Sequence, residues 1–483
     1  MIVFLLTAML LFPLASARAA KESEDITYLC SFKFSERVNM RKEIVSNKRV
    51  THFWRPMTDD AYLDIALPVV GCAGIYVNWY ELPKARKLLG STDGENYFEL
   101  TPSGAPLTFH EFLPCGENVT KLRLVTGGGA ISQITVYGPG EVPRFIQRWE
   151  PTVEKAELMV IAAHPYDEHA YFGGTLPTYA GQQGRATVVV YMVHESRARQ
   201  TEALNGLWAV GVRTLPVFWG YPEMRGTLLE SVVNAWGGRE EPLKDIVALI
   251  REHKPEVIVT HDRNGENGLG THILTAELVL AAFDLAADPT YNPASAETYG
   301  IWQPKKLYLH MGEENPIEMD WHVPLAAFGE KTAFEMAKLG FAAHVSKQSG
   351  ARRVEDRSPT RCTLFSLVKS TIGTEGEAEA KDFFKGIAAR APEPATPVPT
   401  PEPESTPEPD KASPSPSPKQ TEVPTVSEDS KAADEPLESV AQNWILLVLL
   451  IIIFITAIIV VVTLDRRARA AAKRDGIDEW WLD

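Results

Sequence analysis

The chain has 483 residues, enough for more than one domain, and its 63 acidic against 48 basic residues leave a formal charge of -15. No basic stripe breaks that excess before the C-terminal tail, which excludes nucleic acid as a partner. Four cysteines, Cys30, Cys72, Cys115 and Cys362, are too few and too scattered for a disulfide framework and form no CxxC metal knuckle, although the spacing allows one bridge among the first three.

Residues 1–20 read as a secretory signal peptide, an apolar run followed by small residues at Ala15, Ala17 and Ala19, without the usual basic start. From about 25 to 145 the apolar residues alternate: Leu63, Ile65 and Leu67, then Ile75, Val77 and Trp79, then Leu122 and Leu124, then Ile134 and Val136. Short period-two runs split by Gly, Pro, Asn and Asp predict an antiparallel β-sandwich. In length, strand spacing and the closing run 131–138, ISQITVYG, this region resembles galactose-binding-like (discoidin-type) modules. Trp54, Trp79 and Tyr80 are then candidates for stacking on sugar, with core or domain-interface packing as the alternative.

Over 151–390 the rhythm changes. Compact apolar runs at 158–163, 187–193, 215–219, 257–260 and 307–310 read as buried parallel strands. Leu243, Ile246, Val247 and Ile250 recur at helical spacing before Pro255. The expected fold is a Rossmann-like α/β domain with ligands at the carboxyl ends of its strands. A nucleotide cofactor is disfavoured, because the first strand runs into His164-Pro165-Tyr166-Asp167-Glu168 rather than a GxGxxG turn.

Residues 391–438 are rich in Pro, Glu, Ser and Thr and poor in apolar residues, which predicts a disordered, semi-stiff stalk. Residues 444–464 carry no charge over a length that spans a hydrocarbon layer of roughly 30 Å, which predicts one transmembrane helix. Arg466, Arg467, Arg469, Lys473 and Arg474 follow at once, so 465–483 is expected to be a cytoplasmic tail and the N-terminal domains extracellular at the cell membrane.

The chemistry sits in two loops. His164 and Asp167 lie just past the first buried strand, and His261, Asp262, Glu266 and His272 follow the strand at 257–260. Both loops open on one rim of a parallel sheet, where two imidazoles and a carboxylate make the ligand set of a catalytic zinc site. At this point residues 156–350 resemble the PIG-L/LmbE family of metal-dependent N-deacetylases. The carriers are AAHPYDEHAYFGGTL from Ala162, Arg199-x-x-Glu202 leading to Ala209-Val210-Gly211-Val212, THDRNGENGLGTH from Thr260, and AAHVSKQ near His344.

The resemblance implies zinc held by His164, Asp167 and His272, an amino-sugar glycan or glycoconjugate as substrate, and Arg199 as a contact to its hydroxyls or phosphate. It also implies a general base at the position of Tyr166 and an assisting histidine at that of Leu269, so both proton-handling positions are substituted here. Glu168, His169, Asp262 and Glu266 lie in the same loops, as replacement catalytic groups or as orienting partners, and His344 is expected near the site. Two readings follow: an N-deacetylase with unusual proton handling, or a catalytically silent, metal-retaining glycan binder. A purely structural surface protein gives no reason to keep three ligand positions in register.

Overall fold

The computed structural model describes residues 21–36, 52–101, 106–193, 196–224, 226, 228–347 and 353–388. The predicted signal peptide, stalk, membrane span and tail lie outside them. Among the described residues no helix is long and apolar enough to cross a membrane.

The N-terminal half is built from β1 (Ser31–Phe34), β2 (Tyr62–Ala66), β3 (Gly74–Glu81), β4 (Lys87–Ser91), β5 (Phe98–Glu99), β6 (His110–Pro114), β7 (Lys121–Val125) and β8 (Ala130–Tyr137). They pair antiparallel into two sheets, ordered β1-β2-β7-β4-β5 and β6-β3-β8. Alternation puts one face of each sheet inside: Leu63 pairs with Leu124 and Ile65 with Leu122 in the first, Ile75 with Val136 and Val77 with Ile134 in the second. All eight side chains are buried, each contributing about 1.5–3 kcal/mol of transfer free energy. Cys72 and Cys115 form the single bridge that the spacing allowed, while Cys30 and Cys362 are free thiols. Trp54 and Trp79 lie in this core at 3% and 0% exposure, so neither is available to stack on a sugar. Tyr80 is half-buried and stacks on Phe53 with ring centroids 3.8 Å apart.

The second half contains β9 (Leu158–Ala162), α1 (Asp167–Ala170), β10 (Thr187–Val193), α2 (Arg197–Ala209), β11 (Val217–Tyr221), α3 (Leu229–Ala235), α4 (Glu240–His253), β12 (Val257–Thr260), α5 (Gly270–Leu285), α6 (Pro293–Tyr299) and β13 (Lys306–His310). It continues with β14 (Pro316–Glu318), β15 (Pro324–Leu325), β16 (Lys331–Thr332), α7 (Ala333–Ala342), β17 (Leu364–Ser370) and α8 (Glu377–Ala380). The main sheet is ordered β11-β10-β9-β12-β13-β17-β14. Its strands from β9 to β13 run parallel, and β17 joins antiparallel to both β13 and β14.

Each face of the sheet has its own core. Leu158, Val160 and Ala162 of β9 point into one and Met159 and Ile161 into the other, which is why the strand reads as continuously apolar. Pairing of β11 starts at Val217 rather than at the expected Leu215, because Pro216 has no N–H to offer a ladder. The chain runs from β9 outward through β10 to β11 and then returns to the other side of β9 as β12. That reversal opens a crevice at the carboxyl ends of β9 and β12, the place where doubly wound sheets bind ligands.

Candidate metal centre

The loop after β9 turns sharply. Tyr166 adopts a positive φ of 102°, which folds the chain back so that Asp167 Oδ2 accepts from the His164 N–H at 2.8 Å and Glu168 Oε2 accepts from the Tyr166 N–H at 3.0 Å. The loop after β12 delivers His272 from the first turn of α5, and the two loops meet.

His164 Nδ1 lies 3.1 Å from Asp167 Oδ2 and 3.2 Å from His272 Nε2, and the last two atoms are 3.2 Å apart. Donors about 2.0–2.1 Å from a tetrahedral zinc are separated by about 3.3 Å, so this near-equilateral triangle fits the ion. Asp167 Oδ1 is buried without a hydrogen-bond partner, a further sign that the carboxylate is arranged for something beyond its protein neighbours. All three side chains are almost wholly buried.

Carboxylates stand behind both imidazoles. Glu223 Oε2 is 2.9 Å from His164 Nε2 and Glu266 Oε2 is 2.8 Å from His272 Nδ1, so each ring turns its other nitrogen toward the triangle. Glu266 is the hub of this shell: it accepts from His261 Nδ1 at 2.6 Å and from the Asp262 N–H at 3.1 Å, and its Oε1 lies 2.8 Å from His310 Nδ1. The Ala163 N–H donates to His261 Nε2 at 2.8 Å, which leaves the proton of that ring on Nδ1 for Glu266 and removes His261 from the ligand set.

The charges are tightly coupled. Burial alone would raise the Asp167 carboxyl, yet the imidazoles of His272 and His164 hold it well below the usual range. Burial likewise works against a charged His272, but Asp167 and Glu266 push it up to about 10. Protons and a metal therefore compete for the same atoms.

Tyr166 is buried, its ring lying nearly parallel to that of His164 with centroids 6.0 Å apart, and Lys347 Nζ sits 4.5 Å from the ring centre. Leu269 immediately precedes α5 and is partly exposed. Glu168 is fully buried, with Tyr191 Oη donating to Oε1 at 2.7 Å, and it faces His169 and His344. Arg199 stands in the first turn of α2, where Ser196 caps the helix. Glu202 accepts two hydrogen bonds from Ser346, a structural tie. Sequence reasoning missed Glu223 and His310. Both sit at or just past the ends of parallel strands, β11 and β13, and a search of every strand end for titratable residues finds them.

Residues 159–283 match the PIG-L family, described as GlcNAc-PI de-N-acetylase, so the chain carries a PIG-L family domain there. It is similar to a 1D-myo-inositol 2-acetamido-2-deoxy-alpha-D-glucopyranoside deacetylase of Geodermatophilus obscurus, 24% identical over 261 residues that cover 45% of this chain and 88% of the relative. A mycothiol S-conjugate amidase of Streptomyces coelicolor is 28% identical over 208 residues, covering 38% and 70%. Among solved structures, an N,N'-diacetylchitobiose deacetylase from Pyrococcus horikoshii matches at 16% identity and a TM-score of 0.30, over 40% of this chain and 71% of that one.

Proposed function

We propose that this chain is a PIG-L-type, zinc-dependent N-deacetylase of N-acetylglucosamine-type glycans or conjugates, anchored at the cell membrane with its globular part outside. The triangle formed by His164 Nδ1, Asp167 Oδ2 and His272 Nε2 carries the reading. The amide chemistry and the amino-sugar substrate are argued from the names of the relatives. The apolar run 1–20, the uncharged run 444–464 and the basic residues after it support the anchored, extracellular placement.

In this reading His164, Asp167 and His272 hold the ion, while Glu223 and Glu266 keep the two imidazoles turned toward it. A zinc so held lowers the pKa of bound water toward about 7 and polarises an amide carbonyl. Water adds to the acetyl carbon and the C–N bond breaks, giving acetate and a free amine that takes up a proton. Arg199 contacts the sugar. Leu269 transfers no proton, and a tyrosine at the base position is a weak base at neutral pH. Since a positioned acid or base contributes about 10²- to 10⁴-fold, turnover is slow.

Those two substitutions favour a second reading, a metal-retaining glycan binder without turnover. Acetate release from N-acetylglucosamine conjugates by the purified chain with added zinc separates the two. Release that disappears in His164→Ala supports the enzyme. No release from the parent with release from Tyr166→Asp supports the binder, and no release from either, with zinc bound, overturns the deacetylase reading.

A further inference from the structure

A second constellation lies beside Tyr166, whose ring is 6.0 Å from that of His164 and 6.2 Å from that of His344. Glu168, His169 and His344 converge there from α1 and the segment just after α7, all at 0% exposure. Glu168 Oε1 is 3.2 Å from His169 Nε2 and 3.7 Å from His344 Nε2, and one donor atom from each of the three residues falls within 4.8 Å of the others.

Two observations separate this group from an ordinary buried network. Neither ring nitrogen of His169 makes a hydrogen bond, although a buried polar group left unpaired costs about 1–3 kcal/mol. The backbone is also cleared around that ring: a Cβ at Gly206 would lie 2.7 Å from His169 Nε2, and one at Gly340 would lie 2.6 Å from Nδ1. Glu168 is held in place independently, by the Tyr191 hydroxyl on Oε1 and the Tyr166 N–H on Oε2, as carboxylate ligands commonly are.

We propose that Glu168, His169 and His344 form a second divalent-metal site, of the zinc type and structural in role. The donor set, two imidazoles and one carboxylate, repeats that of the first site, and separations of 3.2 and 3.7 Å bracket the value of about 3.3 Å for tetrahedral zinc. Its effect is to pin the turn at Tyr166, and with it Asp167, against the segment after α7. The site does not depend on the deacetylase reading, since its ligands include none from the first triangle.

Metal content measured on the zinc-loaded full chain, after dialysis, tests it. The expected result is about two zinc ions per folded chain in the parent, about one in His164→Ala, about one in His169→Gln and none in the double variant. If the parent holds about one ion and folded His164→Ala holds none, the second site is overturned and the first stands. If the parent's one ion survives His164→Ala and is lost in His169→Gln, the second site stands and the first falls. Should His169→Gln fail to fold, cobalt(II) added to His164→Ala decides the matter. A d–d spectrum of nitrogen and oxygen ligation is expected there, and a spectrum of hexaaqua cobalt alone overturns the proposal.

Discussion

Tyr166 holds a φ of 102°, a region in which a bulky side chain stores about 1–3 kcal/mol of strain. The turn that carries this strain sets Asp167 against His164, so its conformation places two corners of the triangle. The carboxylates behind the imidazoles matter in the same way. Glu266→Gln removes the charge facing His272, His261 and His310, and zinc affinity is expected to fall by about 10- to 100-fold, read by competition with a chromogenic chelator. An affinity within twofold of the parent would show that Glu266 does not orient His272. The convergence of His164, Asp167 and His272 was legible in the sequence because their motifs lie in the segments that follow the parallel strands β9 and β12. Glu223 and His310 were not, because a lone carboxylate after β11 and a lone histidine closing β13 carry no spacing signal, and only the parallel sheet brings them to the same rim.

Elements differ in how openly they declare themselves. Strands β9, β10 and β12 are buried on both faces, so an unbroken apolar run announces them. Strand β17 pairs antiparallel near the sheet edge, with three half-buried residues at its end, and its weaker pattern went unread. Within the sandwich, the chain between Cys72 and Cys115 closes a loop with a sequence separation of 43. Replacing both cysteines by serine is expected to lower unfolding stability by about 2–4 kcal/mol, measured by denaturant titration. Strand β6 carries a pH dependence. Burial, aided by Arg197, depresses His110 from 6.5 to about 4. The unfolded chain therefore binds a proton that the folded chain refuses, and stability present above pH 6.5 drains away as the pH falls toward 4. Compared with His110→Gln, the parent is expected to lose up to about 3 kcal/mol more across that window, and parallel stability curves would refute the assignment.

At the scale of the whole globular part, the sandwich and the α/β domain meet at Arg197, at the start of α2. Its guanidinium donates to the Trp79 carbonyl and lies 5.1 Å from the ring centre of Tyr80 and 5.0 Å from that of Phe109. Arg197→Ala is expected to cost about 1–2 kcal/mol and to split thermal unfolding into two calorimetric transitions. A single transition at the parental temperature would mean that the domains are coupled elsewhere. The order of domains was readable from the switch between period-two and continuous apolar runs, but this contact was not, since an arginine on a helix reads from sequence as a solvated face.

The reversal of the chain at β9 has a temporal consequence. His164 and His272 stand 108 positions apart, and β10, α2, β11, α3, α4 and β12 must all be laid down between them. A chain still emerging from the ribosome carries two of the three donors of the triangle, His164 and Asp167, long before it carries His272, and closing so long a loop is slow. A metal held by this triangle would thus be a late arrival, captured only once β12 has docked beside β9.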